Sequence, residues 1–101
     1  MYSNVYQGEF GSIRNLISKN EFQKAYDLLQ KISNKCSEWY YLTGLSAMNI
    51  GYYDEGEEYI KTAATMEPTN EEYSHAFINI TNIEMITTVI HTIITEENKM
   101  I

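Results

Sequence analysis

The chain is short of several things, and each shortage removes a class of function. Cys36 is the one cysteine among 101 residues, so neither an internal disulfide nor a cysteine-built zinc site is available. One proline and five glycines are too few for a low-complexity tail, and no glycine-rich phosphate loop is present. No apolar run approaches the roughly 20 residues that span a bilayer. The start, Met1-Tyr2-Ser3-Asn4, has no basic region followed by an apolar stretch, so no secretory signal is expected. These absences make a cytoplasmic protein with no membrane partner the expectation. Bases are scarce too. Seven Lys and Arg stand against 14 acids, a net charge of −7, which argues against nucleic acid, because phosphate neutralisation supplies much of that affinity.

Chemistry-bearing groups are equally sparse. His75 and His91 are well separated in sequence with no carboxylate pattern between them, so no metal site is expected. Cys36 with either histidine is the only conceivable nucleophile–base pair, and nothing converges on it. Asp54, Glu55, Glu57 and Glu58 read as solvated charge favoured at a helix start. The expectation is a protein that is not an enzyme and carries no cofactor. The charge is also uneven: residues 1–35 hold five bases against three acids, and residues 36–101 two against eleven. That asymmetry fits either a solvated surface or a head-to-tail contact between copies.

What is present is helical periodicity. Phe10, Ile13, Leu16 and Ile17 predict a helix over about Tyr6–Ser18. Asn20 reads as the cap of a second helix, about Glu21–Asn34, with Phe22, Ala25, Leu28, Leu29 and Ile32 on one side. A third, about Ser37–Ile50, stops at Gly51, and a fourth, about Asp54–Met66, is closed by Pro68. Thr69 with Glu72 has capping-box spacing and announces a fifth helix to about Ile80. Thr81 with Glu84 predicts a restart into a sixth. Trp39, Tyr40, Tyr53, Tyr59 and Ala63 are expected in the core. The class is all-α.

The tail is rich in β-branched residues, about eleven from Thr81 to Thr95, which disfavour a helix by up to ~0.7 kcal/mol each. Ile83, Ile86, Val89, Ile90, Ile93 and Ile94 nevertheless fall on one helical arc. Burial at ~1.5–3 kcal/mol per apolar side chain offsets the poor propensity only if that stripe is covered. Ile83, Ile86, Ile90 and Ile93 also alternate spacings of three and four, a short coiled-coil-like seam that suits a homodimer.

Two segments share a pattern: Asn20-Glu21-Phe22-Gln23-Lys24-Ala25 and Gly51-Tyr52-Tyr53-Asp54-Glu55-Gly56. Each has a turn residue, an aromatic two later and a small residue three beyond that. Around the second, the stretch Ser37–Asn70 resembles a complete tetratricopeptide repeat. Tyr40, Gly44, Ala47, Gly51, Tyr53, Gly56, Ala63 and Pro68 fall where that family places its aromatic, small and terminating residues. Gly56 stands for the usual alanine and Ile60 for an aromatic, both read as mild departures. Residues 6–34 are similar to a shortened repeat, and 70–80 to the opening helix of a third. The resemblance implies a right-handed helical-hairpin array of about 2.5 repeats, with residues 81–97 as a capping helix.

A narrower resemblance runs through Arg14-Asn15-Leu16-Ile17, Ala25-Tyr26-Asp27-Leu28-Leu29, Glu38-Trp39-Tyr40-Tyr41-Leu42 and Glu67-Pro68-Thr69-Asn70-Glu71-Glu72-Tyr73. These look like the C-terminal repeat segment of DnaJ-like J-domain co-chaperones of Gram-positive anaerobes. The J domain is absent, since neither His75 nor His91 is followed by Pro-Asp.

What the family resemblance implies about function is an adaptor that binds a protein or peptide in a concave groove. The groove would be lined by Glu38, Tyr41, Leu45, Met48 and Asn49, by Phe10, Arg14 and Ile17, and by His75, Asn79 and Asn82. Tyr41, Leu45 and Met48 form an apolar stripe suited to an amphipathic helix, with Arg14 and Asn79 at its edges. Carboxylate-clamping members of the family use lysine, arginine and asparagine in the groove. Tyr41 and Leu45 occupy such places here and speak against that mode.

Overall fold

The computed structural model describes residues 2–82, with side chains from Gly8 onward. Four helices are complete: α1 (Tyr2–Ser18), α2 (Phe22–Leu29), α3 (Ser37–Asn49) and α4 (Tyr53–Met66). A fifth, α5, occupies residues 71–82. There is no strand among the described residues. The isoleucine-rich segment, and with it the seam of Ile83, Ile86, Ile90 and Ile93, lies outside them.

The two segments that share a sequence pattern also share a backbone turn. Asn20 (φ 62°) and Gly51 (φ 103°) both adopt the left-handed conformation. Behind each, two amides reach back to close the preceding helix. Glu21 N–H donates to Leu16 O (2.9 Å) and Asn20 N–H to Ile17 O (3.0 Å); Tyr52 N–H donates to Ala47 O (2.8 Å) and Gly51 N–H to Met48 O (3.4 Å). This six-to-one, five-to-two pairing is a Schellman motif. Asn20 therefore ends α1 and does not cap α2, whose first turn has no side-chain cap. Asparagine is the residue after glycine that best tolerates this conformation.

Three further expectations shift for local reasons. The second helix ends at Leu29 and not near Asn34: the chain tightens into three-residue turns, Lys31 N–H donating to Leu28 O and Ile32 N–H to Leu29 O (both 3.1 Å), and the buried Trp39 indole N–H is a second donor to Leu29 O at 2.8 Å. Asn70, and not Thr69, caps α5: its Oδ1 accepts Tyr73 N–H at 3.2 Å. Thr81 starts no new helix. It lies within α5, its hydroxyl donating to Phe77 O at 3.0 Å.

α3 and α4 form the tightest pair, running antiparallel with Gly44 against Gly56. A Cβ on Gly44 would meet Gly56 O at 2.9 Å, and one on Gly56 would meet Gly44 O at 2.8 Å. Each glycine thus faces the other's carbonyl. Around this pair every described helix contributes to the core: Phe10 and Ile13, Ala25 and Leu29, Trp39, Tyr41 and Leu42, Ala63, and Tyr73. Trp39 stacks edge-on with Tyr40 (5.1 Å) and Tyr59 (5.5 Å). Tyr53, expected in the core, is 66% exposed, since it opens α4 on the side away from α3.

α2 is tied to α4 by Tyr26, whose hydroxyl donates to Glu55 Oε1 at 2.8 Å. Burial and the adjacent Glu55 push its phenol up to about 12. Burial, with Glu38 nearby, does the same to Tyr73. A folded-state pKa above the unfolded value near 10 gives stability that is fully present below pH ~10 and lost as pH rises through about 12. Helix content is therefore expected to fall between those values, and to fall less in Tyr26→Phe/Tyr73→Phe. An alkaline far-UV circular dichroism titration that is identical for the two proteins would contradict this.

Candidate functional site

The site is built where α5 crosses α3. Tyr73 of α5 lays its ring on Tyr41 of α3, with centroids 4.7 Å apart and planes tilted by 34°. Arg14 of α1 also comes over the Tyr41 ring, its guanidinium carbon 5.8 Å from the ring centre. The same guanidinium is held by carboxylates from two helices. Nε donates to Glu38 Oε2 at 3.1 Å, and Nη1 and Nη2 donate to the two oxygens of Glu72 at 3.1 and 3.0 Å. Nη2 also lies 2.9 Å from Glu38 Oε2. The fork on Glu72 is the bidentate geometry that makes arginine a directional partner.

The lock joins α1, α3 and α5 over one aromatic ring. Hydrogen bonding from Glu72, then from Glu38, outweighs desolvation and pushes Arg14 further up, so its charge is permanent. Such partly exposed pairs contribute about 1 kcal/mol or less each. Their role here is to fix where α5 lands.

Beside the lock lies a cleft of about 460 Å³ lined by Tyr41, Leu45, Met48, Ile60, Glu72, His75, Ala76, Asn79 and Ile80. Its walls are apolar side chains of α3 and α5, and Ile60 of α4 supplies the buried floor. His75 and Asn79 are exposed one turn apart on α5 and form a polar lip. The other end is closed by Glu72, whose charge is already matched by Arg14.

Of the residues expected to face a partner, Tyr41, Leu45, Met48, His75 and Asn79 converge on this cleft. Phe10 does not: it is 2% exposed and belongs to the core. Arg14 stands at the edge, but its guanidinium is engaged by Glu38 and Glu72. Tyr41 lines the cleft while being 7% exposed, and burial pushes its phenol up. Asn49 turns its carboxamide back to Leu45 O at 2.8 Å. Ile60, Glu72, Ala76 and Ile80 were missed. Ala76 and Ile80, four apart in α5, carried a visible signal as the apolar face beside His75 and Asn79. Glu72 carried none beyond a capping role.

Cys36 is half-buried at the start of α3. Among the described residues no group of three His, Cys, Asp or Glu side chains gathers into a metal site, and no helix is long and apolar enough to cross a membrane. No family model, curated protein or solved structure was found to match the chain.

Proposed function

We propose that this chain is a non-enzymatic protein–protein interaction module of the tetratricopeptide type, an adaptor that takes an apolar segment of another protein into the α3–α5 cleft. The observation that carries this reading is the cleft itself: an apolar trough with a two-residue polar lip. Its volume suits one or two large side chains from an amphipathic helix. Apolar walls supply affinity, and His75 and Asn79 supply hydrogen bonds that set orientation. The repeat reading is supported by the offset from Asn20 to Gly51, which recurs in sequence and in the paired Schellman turns. The narrower resemblance to co-chaperone repeat segments adds the setting, chaperone-linked work in a bacterial cytoplasm.

Selection of displayed peptides on the wild-type protein, with Leu45→Glu as counter-target, tests the reading. Leu45 lines the cleft, is half-buried and packs against the core cluster, so the charge alters the trough, and circular dichroism checks that the fold is kept. Enriched peptides should carry apolar residues at helical spacing, bind with Kd on the order of micromolar, and bind Leu45→Glu at least tenfold more weakly, on the order of 1.4 kcal/mol. Binding that is indifferent to Leu45→Glu, in a variant with unchanged circular dichroism, would reject the cleft as the site.

A further inference from the structure

The offset that carries Asn20 onto Gly51 allows the two hairpins to be compared position by position. Phe10 and Tyr41, Ile13 and Gly44, Ala25 and Gly56, and Leu29 and Ile60 are equivalent, and all eight are buried. On the same offset Leu28 corresponds to Tyr59. In the second hairpin Tyr59 packs on Trp39, whose indole is bonded to α2 of the first hairpin. That flank of α3–α4 is therefore the one that receives the preceding hairpin. On α1–α2 no described residue covers the equivalent flank. It forms a pocket of about 340 Å³ walled by Ile13, Leu28 and Ile32 with Glu9 and Lys31 at its rim, and Leu28 is 41% exposed. Leu28 lies two positions, about 200°, around α2 from Tyr26, which faces α4.

At the opposite end of the array, too, a face has no cover among the described residues. α5 is held against α3 by Tyr73 and Glu72. Ile78, about 140° around the helix from Tyr73, is 53% exposed. Because α5 runs through Thr81 without a turn, no described residue folds back over that face. Glu71 lies seven positions from Ile78, within about 20° of the same face, and has no ion-pair partner among the described residues. Lys31 has none either. The charge asymmetry between the two ends has the sign that contact requires.

We propose that copies of this chain associate head to tail, with the Ile78 face of α5 in one copy seated in the Leu28 pocket of the next and Glu71 facing Lys31. Each copy then covers its neighbour's bare flank, as the first hairpin covers that flank of the second. The interface is heterologous, so two different surfaces meet and the assembly grows from both ends.

Heterologous contact predicts complementation. In sedimentation or light scattering up to ~500 µM, concentrations at which weak micromolar contacts are populated, the wild-type mass should rise above 11.8 kDa. Leu28→Glu and Ile78→Glu, both at exposed positions, should each stay at the monomer mass with unchanged circular dichroism. Mixed in equal amounts they should form a complex of two chains that does not grow further, because one retains the pocket and the other the knob. Should a variant lose its helix content, Lys31→Glu, which weakens association, and its rescue by Glu71→Lys provide the same test. A strictly monomeric wild type overturns the proposal. So does association unaffected by these changes, or a mixture of folded variants that stays monomeric, which would mean a symmetric interface elsewhere.

Discussion

Gly56→Ala is expected to destabilise the protein by about 1–3 kcal/mol, the range for overpacking a close contact, although alanine is the better helix former. The added methyl meets Met48 Cγ and, at 2.8 Å, the carbonyl of Gly44. The side chain can rotate away, but the carbonyl belongs to the α3 backbone and yields only if the helices separate. Gly44→Ala should cost a similar amount, since its methyl meets Gly56 O at 2.9 Å and Ile60 N at 3.1 Å. The double variant should cost less than the sum, because one widening of the gap accommodates both methyls and neighbouring sites are not additive. Gly11→Ala is the internal control. Nothing lies within 4 Å of a Cβ there, so the same substitution should stabilise by roughly 0.5–1 kcal/mol. Urea unfolding of the four variants followed by far-UV circular dichroism reads the signs directly. A neutral Gly56→Ala would mean that the two helices lie further apart than these contacts require.

Trp39→Ala should be more damaging still. Deleting a buried tryptophan costs about 3–5 kcal/mol, and Leu29 O loses its indole donor at the end of α2. A domain of 101 residues has a total stability of roughly 5–15 kcal/mol at 0.05–0.15 kcal/mol per residue, so the substitution should remove a large part of it. Trp39→Phe separates packing from the hydrogen bond. It keeps most of the aromatic contact with Tyr40 and Tyr59 and should lose about 1–3 kcal/mol, the cost of one of the two hydrogen bonds to Leu29 O, which keeps Ile32 N–H, plus a smaller ring. Its damage should concentrate in α2, visible as faster amide exchange over residues 26–32. Uniform loss of protection would show that Trp39 acts only through packing.

The helices were legible because their signals are local. Apolar residues recur every three or four positions, Gly51 permits a left-handed turn, and Pro68 cannot continue a helix. What was illegible is what depends on a distant partner. Nothing near Leu29 says that α2 should stop there, and one of the two donors to its carbonyl is Trp39, on the following helix. Gly56 looked like a mild departure from alanine until the carbonyl of Gly44 was seen to face it. Arg14 read as an edge residue of the groove, and its actual partners include Glu72, near the far end of the described chain. Within the site, the stripe Tyr41–Leu45–Met48 was placed in a groove by the family resemblance. Phe10 did not separate from it, since a buried position and a groove position on one helical face carry the same period.

The distance along the chain between Arg14 and Glu72 has a consequence during synthesis. At about 5–20 residues per second, Arg14 is synthesised several seconds before Glu72. Until α5 has been made and has left the ribosome, Glu38 alone can meet the guanidinium, and the Tyr41 ring lacks its cover from Tyr73. A released chain truncated before residue 71 should present that half-built face to chaperones.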